Sequence, residues 1–161
     1  MADYRISVEK EHLSFSAAHF LIFGQKCERL HGHNYAVSVE LEGELNETGY
    51  VFDFIELKRL AAWVCGSLDH RTLLPTKNVN LDIETKDDEV TVKFGVKRFI
   101  FPGEDVHFLP VENITAELLA THICEQISGH LRSAGIDNLI AVTVRVDESP
   151  GQSAFYREEF G

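Results

Sequence analysis

From Tyr4 to His19 apolar side chains fall at every second position, in two stretches of opposite parity. Ile6 and Val8 form the first, and Leu13, Phe15 and Ala17 the second, with His19 in step. A period of two is that of a half-buried strand, and the change of parity predicts a bulge within one long strand. The next segment alternates without a break. His33, Tyr35, Val37, Val39 and Leu41 face one way, and Asn34, Ser38, Glu40 and Glu42 the other, predicting a second strand. The period then lengthens. Phe54, Leu57, Ala61, Val64 and Leu68 recur at three- and four-residue steps behind Asp53, with Glu56 completing a capping-box-like start. They predict a helix with one buried stripe. Leu119, Ile123, Ile127 and Leu131 predict a second helix that starts near Thr115, with Ile114 and Leu119 as a hydrophobic staple and Gly135 as its end. Two strands close the chain, one carrying Ile140, Val142, Val144 and Val146, the other roughly residues 153–160.

Between the helices, Pro75 to Pro110 is too long for a structureless loop in a compact domain. Its middle, EVTVKFGVKRFIF, predicts an inserted β-hairpin, about residues 82–109 with its flanks, turning at Gly95-Val96. No repeat, low-complexity tract or linker divides the chain, so residues 1–161 read as one domain. Paired strands rather than strict strand–helix alternation predict an α+β fold, an antiparallel four-stranded sheet with two helices on one face. Such a sheet has two open edges. Joining subunits edge to edge would close them, so an oligomer is expected.

Composition narrows the function classes. The 161 residues are 44 % hydrophobic and 25 % charged, as in soluble globular domains. No apolar run approaches the roughly 20 residues a bilayer requires. The opening MADYRISVEKEH lacks the basic and apolar regions of a signal peptide, so a cytoplasmic protein with no membrane partner is expected. A formal net charge of −11 argues against nucleic acid as a partner. A phosphorylated small molecule fits better, since a few local basic groups suffice to hold it. The three cysteines are an odd number without a C-x-x-C spacing, which argues against a disulfide framework and a four-cysteine zinc site.

The chemistry-bearing stretch is HFLIFGQKCERLHGHNY. His31 and His33 are two apart in a strand, so both imidazoles project from one face, shared with Tyr35 and Val37 and therefore read as buried. His19 ends the first strand on the parity of Leu13 and Phe15, and pairing of the two strands would let all three rings converge. Three histidines with an open fourth position describe a catalytic zinc site. A bare H-x-H is more often a turn with two exposed histidines, and the third histidine on a neighbouring strand together with the nearby Cys27 tips the balance. Cys27, four residues before His31, has two readings: a thiol activated by a nearby cation, or a fourth ligand closing a structural site. Cys65 and Cys124 fall within the helices as small core residues. Asp69-His70 reads either as a proton-relay pair or as a solvated turn. Glu148 continues the inward parity of Val142, Val144 and Val146; it either ends the strand in solvent or accepts hydrogen bonds from a ligand's amino and ring N–H groups.

These residues belong to a wider pattern. F-S-A-A-H (15–19), C-E-R-L-H-G-H-N-Y (27–35), G-Y-V-F-D-F-I-E-L-K (49–58), L-D-H (68–70), E-N-I-T-A-E-L-L-A (112–120) and the D-E-S…A-F-Y ending (147–156) resemble, in order and spacing, the 6-pyruvoyl-tetrahydropterin synthase / 6-carboxy-tetrahydropterin synthase family. The resemblance spans nearly the whole chain apart from the insert. It implies the tunnelling fold, in which trimers close a β-barrel and two trimers stack as a homohexamer. It also implies Zn²⁺ on His19, His31 and His33, Cys27 as proton acceptor with Asp69 and His70 as relay partners, and Glu148 as pterin anchor. Glu117 and Thr115 would lie at the pterin pocket. The implied activity is that of a lyase on 7,8-dihydroneopterin triphosphate. Family members diverge to a 6-pyruvoyl product, to 6-carboxy-tetrahydropterin for queuosine-type deazapurines, or to 6-hydroxymethyl-dihydropterin for folate.

The short C-x-x-x-H-G-H spacing resembles the queuosine branch. Glu28 directly after Cys27 resembles members credited with both the queuosine and folate activities, and reads equally as an exposed loop carboxylate. A different class, a pterin- or purine-binding protein without turnover, is disfavoured by the intact Cys27, Asp69, His70 and histidine set. Two departures stand out: Ile114-Thr115-Ala116-Glu117 lacks the proline usual before the second helix, and the insert around residues 82–109 has no counterpart in the pattern. Lys26, Arg29 and Arg71 are the basic residues nearest the motifs and candidates for the triphosphate.

Overall fold

The computed structural model describes residues 3–161, the side chains of residues 11 and 12 excepted. β1 (Tyr4–His19) pairs antiparallel with β4 (His31–Gly43), and the register shifts between Glu9 and Ser14, where Lys10 takes φ +64°. That bulge resolves the conflict of parity, letting Val8 and the later set Leu13, Phe15 and Ala17 all reach the core. Between these strands, β2 (Ile22–Phe23) and β3 (Lys26–Cys27) form a short ribbon that turns at Gly24, φ +53°. α1 (Phe54–Leu68) begins where the Asp53 carboxylate accepts the N–H groups of Ile55 and Glu56. Its buried stripe is Leu57, Ala61, Val64, Cys65 and Leu68. Phe54, expected in that stripe, stands half exposed on the first turn, and Cys65 widens the stripe instead.

The stretch after α1 departs most from expectation. β5 (Arg71–Pro75) lies parallel beside β1. β6 (Asp82–Lys86), β7 (Glu89–Phe94) and β8 (Lys97–Pro102) then form an antiparallel sheet of three strands, where the sequence predicts a hairpin of two. The expected Gly95-Val96 turn is present between β7 and β8. β9 (Val106–Leu109) returns parallel to β5. α2 (Ala116–Ser133) is capped by Thr115, whose Oγ1 accepts the Leu118 N–H, and ends just before Gly135 at φ +72°. β10 (Leu139–Ser149) and β11 (Gln152–Glu159) complete the chain.

The main sheet has the order β11-β10-β4-β1-β5-β9. It is therefore a mixed six-stranded sheet: the antiparallel four expected from the sequence, extended at one side by two short parallel strands. Both helices bury their stripes on the sheet face that carries Val8, Phe15, Tyr35, Val39, Leu41, Val142 and Val144. A second, smaller core binds the insert to the body. Phe20, Ile22, Leu74, Val90, Val92 and Val106 meet there, with Phe99 and Phe101 packed against them. Phe20 and Phe99 stack at 4.7 Å between ring centroids and 4° between planes. The insert is thus welded to the loop that follows His19.

Candidate active site

Pairing of β1 with β4 sets His19 opposite His31 and Ala17 opposite His33, so three imidazoles crowd one end of the two central strands. One ring nitrogen from each of His19, His31 and His33 lies within 4.8 Å of the other two. His19 Nδ1 is 2.8 Å from the carbonyl of Ile114, and His31 Nδ1 is 2.8 Å from the carbonyl of Arg29. Each Nδ1–H donates to its carbonyl, leaving both Nε2 lone pairs free and turned inward, 3.1 Å apart. His33 Nε2 is buried without a hydrogen-bond partner, and Glu148 Oε1 stands 3.6 Å away. Burial holds the His19 ring below the ordinary histidine pKa, which keeps it neutral, the form that ligates. Orphaned inward nitrogens of this kind, aimed by backbone carbonyls, fit a bound cation that takes nitrogen ligands. Among the described residues this is the one group of histidine, cysteine and acidic side chains close enough to hold a metal ion. Cys27 is not in it. The face is also less enclosed than the sequence predicts, since His31 is exposed and only His19 is fully buried.

Cys27 ends β3, half-buried, with its Sγ 3.5 Å from the Glu28 carbonyl. Burial pushes its thiol pKa up, Lys97 pulls it down, and the Glu28 carboxylate opposes Lys97. The Glu28 side chain accepts the Leu21 N–H at 3.3 Å, tying the two ends of the loop together. The same loop is docked from the other side by Asn113, which pairs with both the N–H and the carbonyl of Ile22.

Asp69 and His70 do form a pair, Oδ2 to Nδ1 at 2.9 Å. The Ser16 N–H donates to Asp69 Oδ1 at 2.8 Å, and together these contacts hold the carboxyl below the usual carboxylate range. His70 sits at φ +56°, a left-handed conformation that is costly for a non-glycine residue. Its side chain is 82 % exposed. The pair lines a groove with Ser14, Ser16 and Asn34, bordered by Phe15 and by Ala62 and Gly66 of α1. Within one chain, among the described residues, no hydrogen bond or ion pair joins it to Cys27.

Glu148, Thr115 and Glu117 line one cleft of about 510 Å³ together with Leu21, Phe23 and the β10–β11 turn. Glu148 also faces the histidine cluster, so it joins the cleft to the three rings. Arg71 lines a separate groove with His33 and His70, and its guanidinium donates to the Glu104 carbonyl. Sequence reasoning missed the orienting roles of Ile114 and Arg29, which act through their carbonyls, because a main-chain acceptor leaves no mark on residue identity.

Known proteins bear on this arrangement. The sequence model of the 6-pyruvoyl tetrahydropterin synthase family matches residues 7–159. A relative from Methanocaldococcus jannaschii, provisionally designated a 6-carboxy-5,6,7,8-tetrahydropterin synthase, is 35 % identical over 147 residues, 91 % of this chain and 90 % of its own. The 6-carboxy-5,6,7,8-tetrahydropterin synthase of Aquifex aeolicus is 31 % identical over 136 residues, 83 % of this chain and 77 % of its own. Among solved structures, the 6-pyruvoyl tetrahydropterin synthase of Plasmodium vivax superposes with a TM-score of 0.93 at 31 % identity, over 99 % of this chain and all of the other. A variant of that protein, solved separately, replaces a catalytic glutamate by alanine.

Proposed function

Because the chain belongs to the 6-pyruvoyl tetrahydropterin synthase family, we propose that it is a zinc-dependent lyase acting on 7,8-dihydroneopterin triphosphate. In this reading its product is 6-carboxy-5,6,7,8-tetrahydropterin, on the way to queuosine-type deazapurines. The observation that carries the proposal is the convergence of His19, His31 and His33, two of them oriented by backbone carbonyls. The Cys27 spacing and the Aquifex relative favour the 6-carboxy branch.

His19, His31 and His33 would hold a Zn²⁺ ion, which would supply Lewis-acid polarisation of the substrate's side-chain oxygens. Everything else falls to the chain's own groups. Cys27 accepts a proton from the substrate side chain. Asp69, accepting from His70 Nδ1, fixes the ring so that Nε2 is free to carry a proton. Glu148 accepts the amino and ring N–H donors of the pterin, and Thr115 and Glu117 complete the cleft. Since the Asp69–His70 pair lies apart from Cys27 in one chain, the relay is completed by a neighbouring copy. A homohexamer of two stacked trimers, its sheets joined edge to edge into a barrel, is therefore part of the proposal. In this reading the protein works in the cytoplasm on a small molecule. Among the described residues no helix is long and apolar enough to cross a membrane.

Mass spectrometry of the products formed by zinc-loaded protein from 7,8-dihydroneopterin triphosphate tests this. 6-Carboxy-tetrahydropterin with acetaldehyde is the expected result, and a pyruvoyl product would move the chain to another branch. A hydroxymethyl product would support a second reading, in which Glu28, beside Cys27 and tied to Leu21, acts as the base; the Plasmodium vivax protein also has a catalytic glutamate. Unchanged substrate from zinc-containing protein would refute the lyase assignment. A pterin-binding protein without turnover would also keep its ligand affinity in Cys27→Ala and have no activity to lose.

A further inference from the structure

We propose that Lys97, delivered by the inserted sheet, is a positioning residue for Cys27: its ammonium anchors the Cys27–Glu28 backbone and supplies the counter-charge for the Cys27 thiolate. The inference rests on the reading of Cys27 as proton acceptor, and it gives the insert a part in the active site.

Lys97 is the first residue of β8, directly after the Gly95-Val96 turn. Its Nζ donates to the carbonyl of Glu28 at 2.8 Å and to that of Cys27 at 3.3 Å. It also lies 5.0 Å over the centroid of the Phe99 ring, and Phe99 is stacked on Phe20 in the second core. The ammonium is therefore held from both ends: rigid aromatic packing behind it, two backbone acceptors in front. None of the ion pairs among the described residues involves Lys97. Its two acceptors are neutral carbonyls, one of them that of Cys27 itself, and its charge also acts on the Cys27 thiol.

Two charged groups act on that thiol, Lys97 from β8 and Glu28 from the adjoining loop, and they act in opposite directions. Burial disfavours the thiolate as well, so among the chain's own groups acting on it Lys97 is the one that favours it. With Lys97 in place burial still holds the thiol above its ordinary pKa, and without Lys97 it would rise further.

The test reads the thiol itself. The rate of Cys27 alkylation by iodoacetamide, followed on the Cys27 peptide by mass spectrometry, is measured against pH for the full-length protein, for Lys97→Met, Lys97→Arg and Lys97→Gln, and for Lys93→Met as a same-sheet control, all in one metal state. Lys97→Met should raise the midpoint by about one pH unit, an about tenfold slower reaction below it. Lys97→Arg should keep the midpoint, and Lys93→Met should leave it unmoved. Cys65 and Cys124, buried and pushed up to about 12, report unfolding if they too become reactive. In that event Lys97→Gln, which keeps a donor and loses the charge, decides. An unmoved midpoint in a folded Lys97→Met or Lys97→Gln protein overturns the proposal. A shifted midpoint with unchanged kcat instead overturns the role of Cys27 as proton acceptor and leaves the Lys97 contact standing, so the two failures are distinguishable.

Discussion

Asn113 offers a quantitative test of how the loop bearing Cys27 is held. Its Oδ1 accepts the Ile22 N–H at 3.1 Å and the Ile114 N–H at 3.2 Å, and its Nδ2 donates to the Ile22 carbonyl at 3.0 Å. One side chain thus imitates a strand partner for residue 22 and braces the residue whose carbonyl orients His19. Asn113→Ala removes three partly buried hydrogen bonds. At about 1 kcal/mol net each, the loss is about 3 kcal/mol. For a chain of this size each kcal/mol is worth roughly 2–4 °C, so Tm should fall by about 6–12 °C at fixed protein concentration. Scanning calorimetry measures this. Asn78→Ala is the control: its amide donates to the Glu112 carbonyl at 2.6 Å, but in exposed surroundings where water replaces the bond. It should cost less than about 1 kcal/mol. A Tm within about 2 °C of the parent for Asn113→Ala, or an equal fall in both variants, would refute the claim that Asn113 docks the loop.

Other outcomes follow from the same geometry. His33→Ala deletes one of three nitrogens, so zinc measured by atomic emission after dialysis should fall well below one ion per chain. The metal-free variant should lose little stability, because the deleted Nε2 had no partner. Glu148→Gln should raise the dissociation constant of a pterin, measured calorimetrically, by about 10- to 100-fold, the loss of one charge-assisted acceptor worth about 1.5–3 kcal/mol. Asp69 has a lowered pKa in the folded protein, chiefly from the Ser16 N–H and His70. Its contribution is therefore present above the unfolded carboxyl pKa of about 3.9 and lost as pH falls through the folded value. The Tm difference between the parent and Asp69→Asn should shrink as pH drops from 6 to 3, and a constant difference would contradict the assignment.

What could be read from the sequence was whatever depends on local periodicity or a short cap. The strand carrying Tyr35, Val37 and Val39, the Asp53 and Thr115 caps, and the parity change in β1 all belong to this class. The histidine cluster was legible for the same reason, since a two-residue step and one strand pairing suffice to bring His19, His31 and His33 together. β5 and β9 were not. Each is four or five residues long, and their parallel pairing is a long-range event that leaves no alternation behind. β6 escaped because DIETK is almost wholly solvent-facing and has no apolar face to display. The Asp69–His70 pair was legible as a dipeptide, but not its anchoring by the Ser16 N–H, which depends on where the turn after α1 meets β1. Lys97 was invisible as a functional residue, because only the stacking of Phe99 on Phe20 brings its turn to the loop.

The bulge in β1 has a consequence for how this chain tolerates insertion and deletion. Upstream of it Val8 faces the core, and downstream Phe15, Ala17 and His19 do so on the opposite parity. A single residue lost between Glu9 and Ser14 would put Ile6, Val8, Leu13, Phe15, Ala17 and His19 on one parity, so that an unbroken strand could carry them all to the core face. Side-chain identity at the histidines is therefore the tighter constraint on this strand, and length in the bulge the looser one. The loop tips at Gly95 and Gly151 face open space, and length variation among working descendants of this chain should collect there and at the bulge.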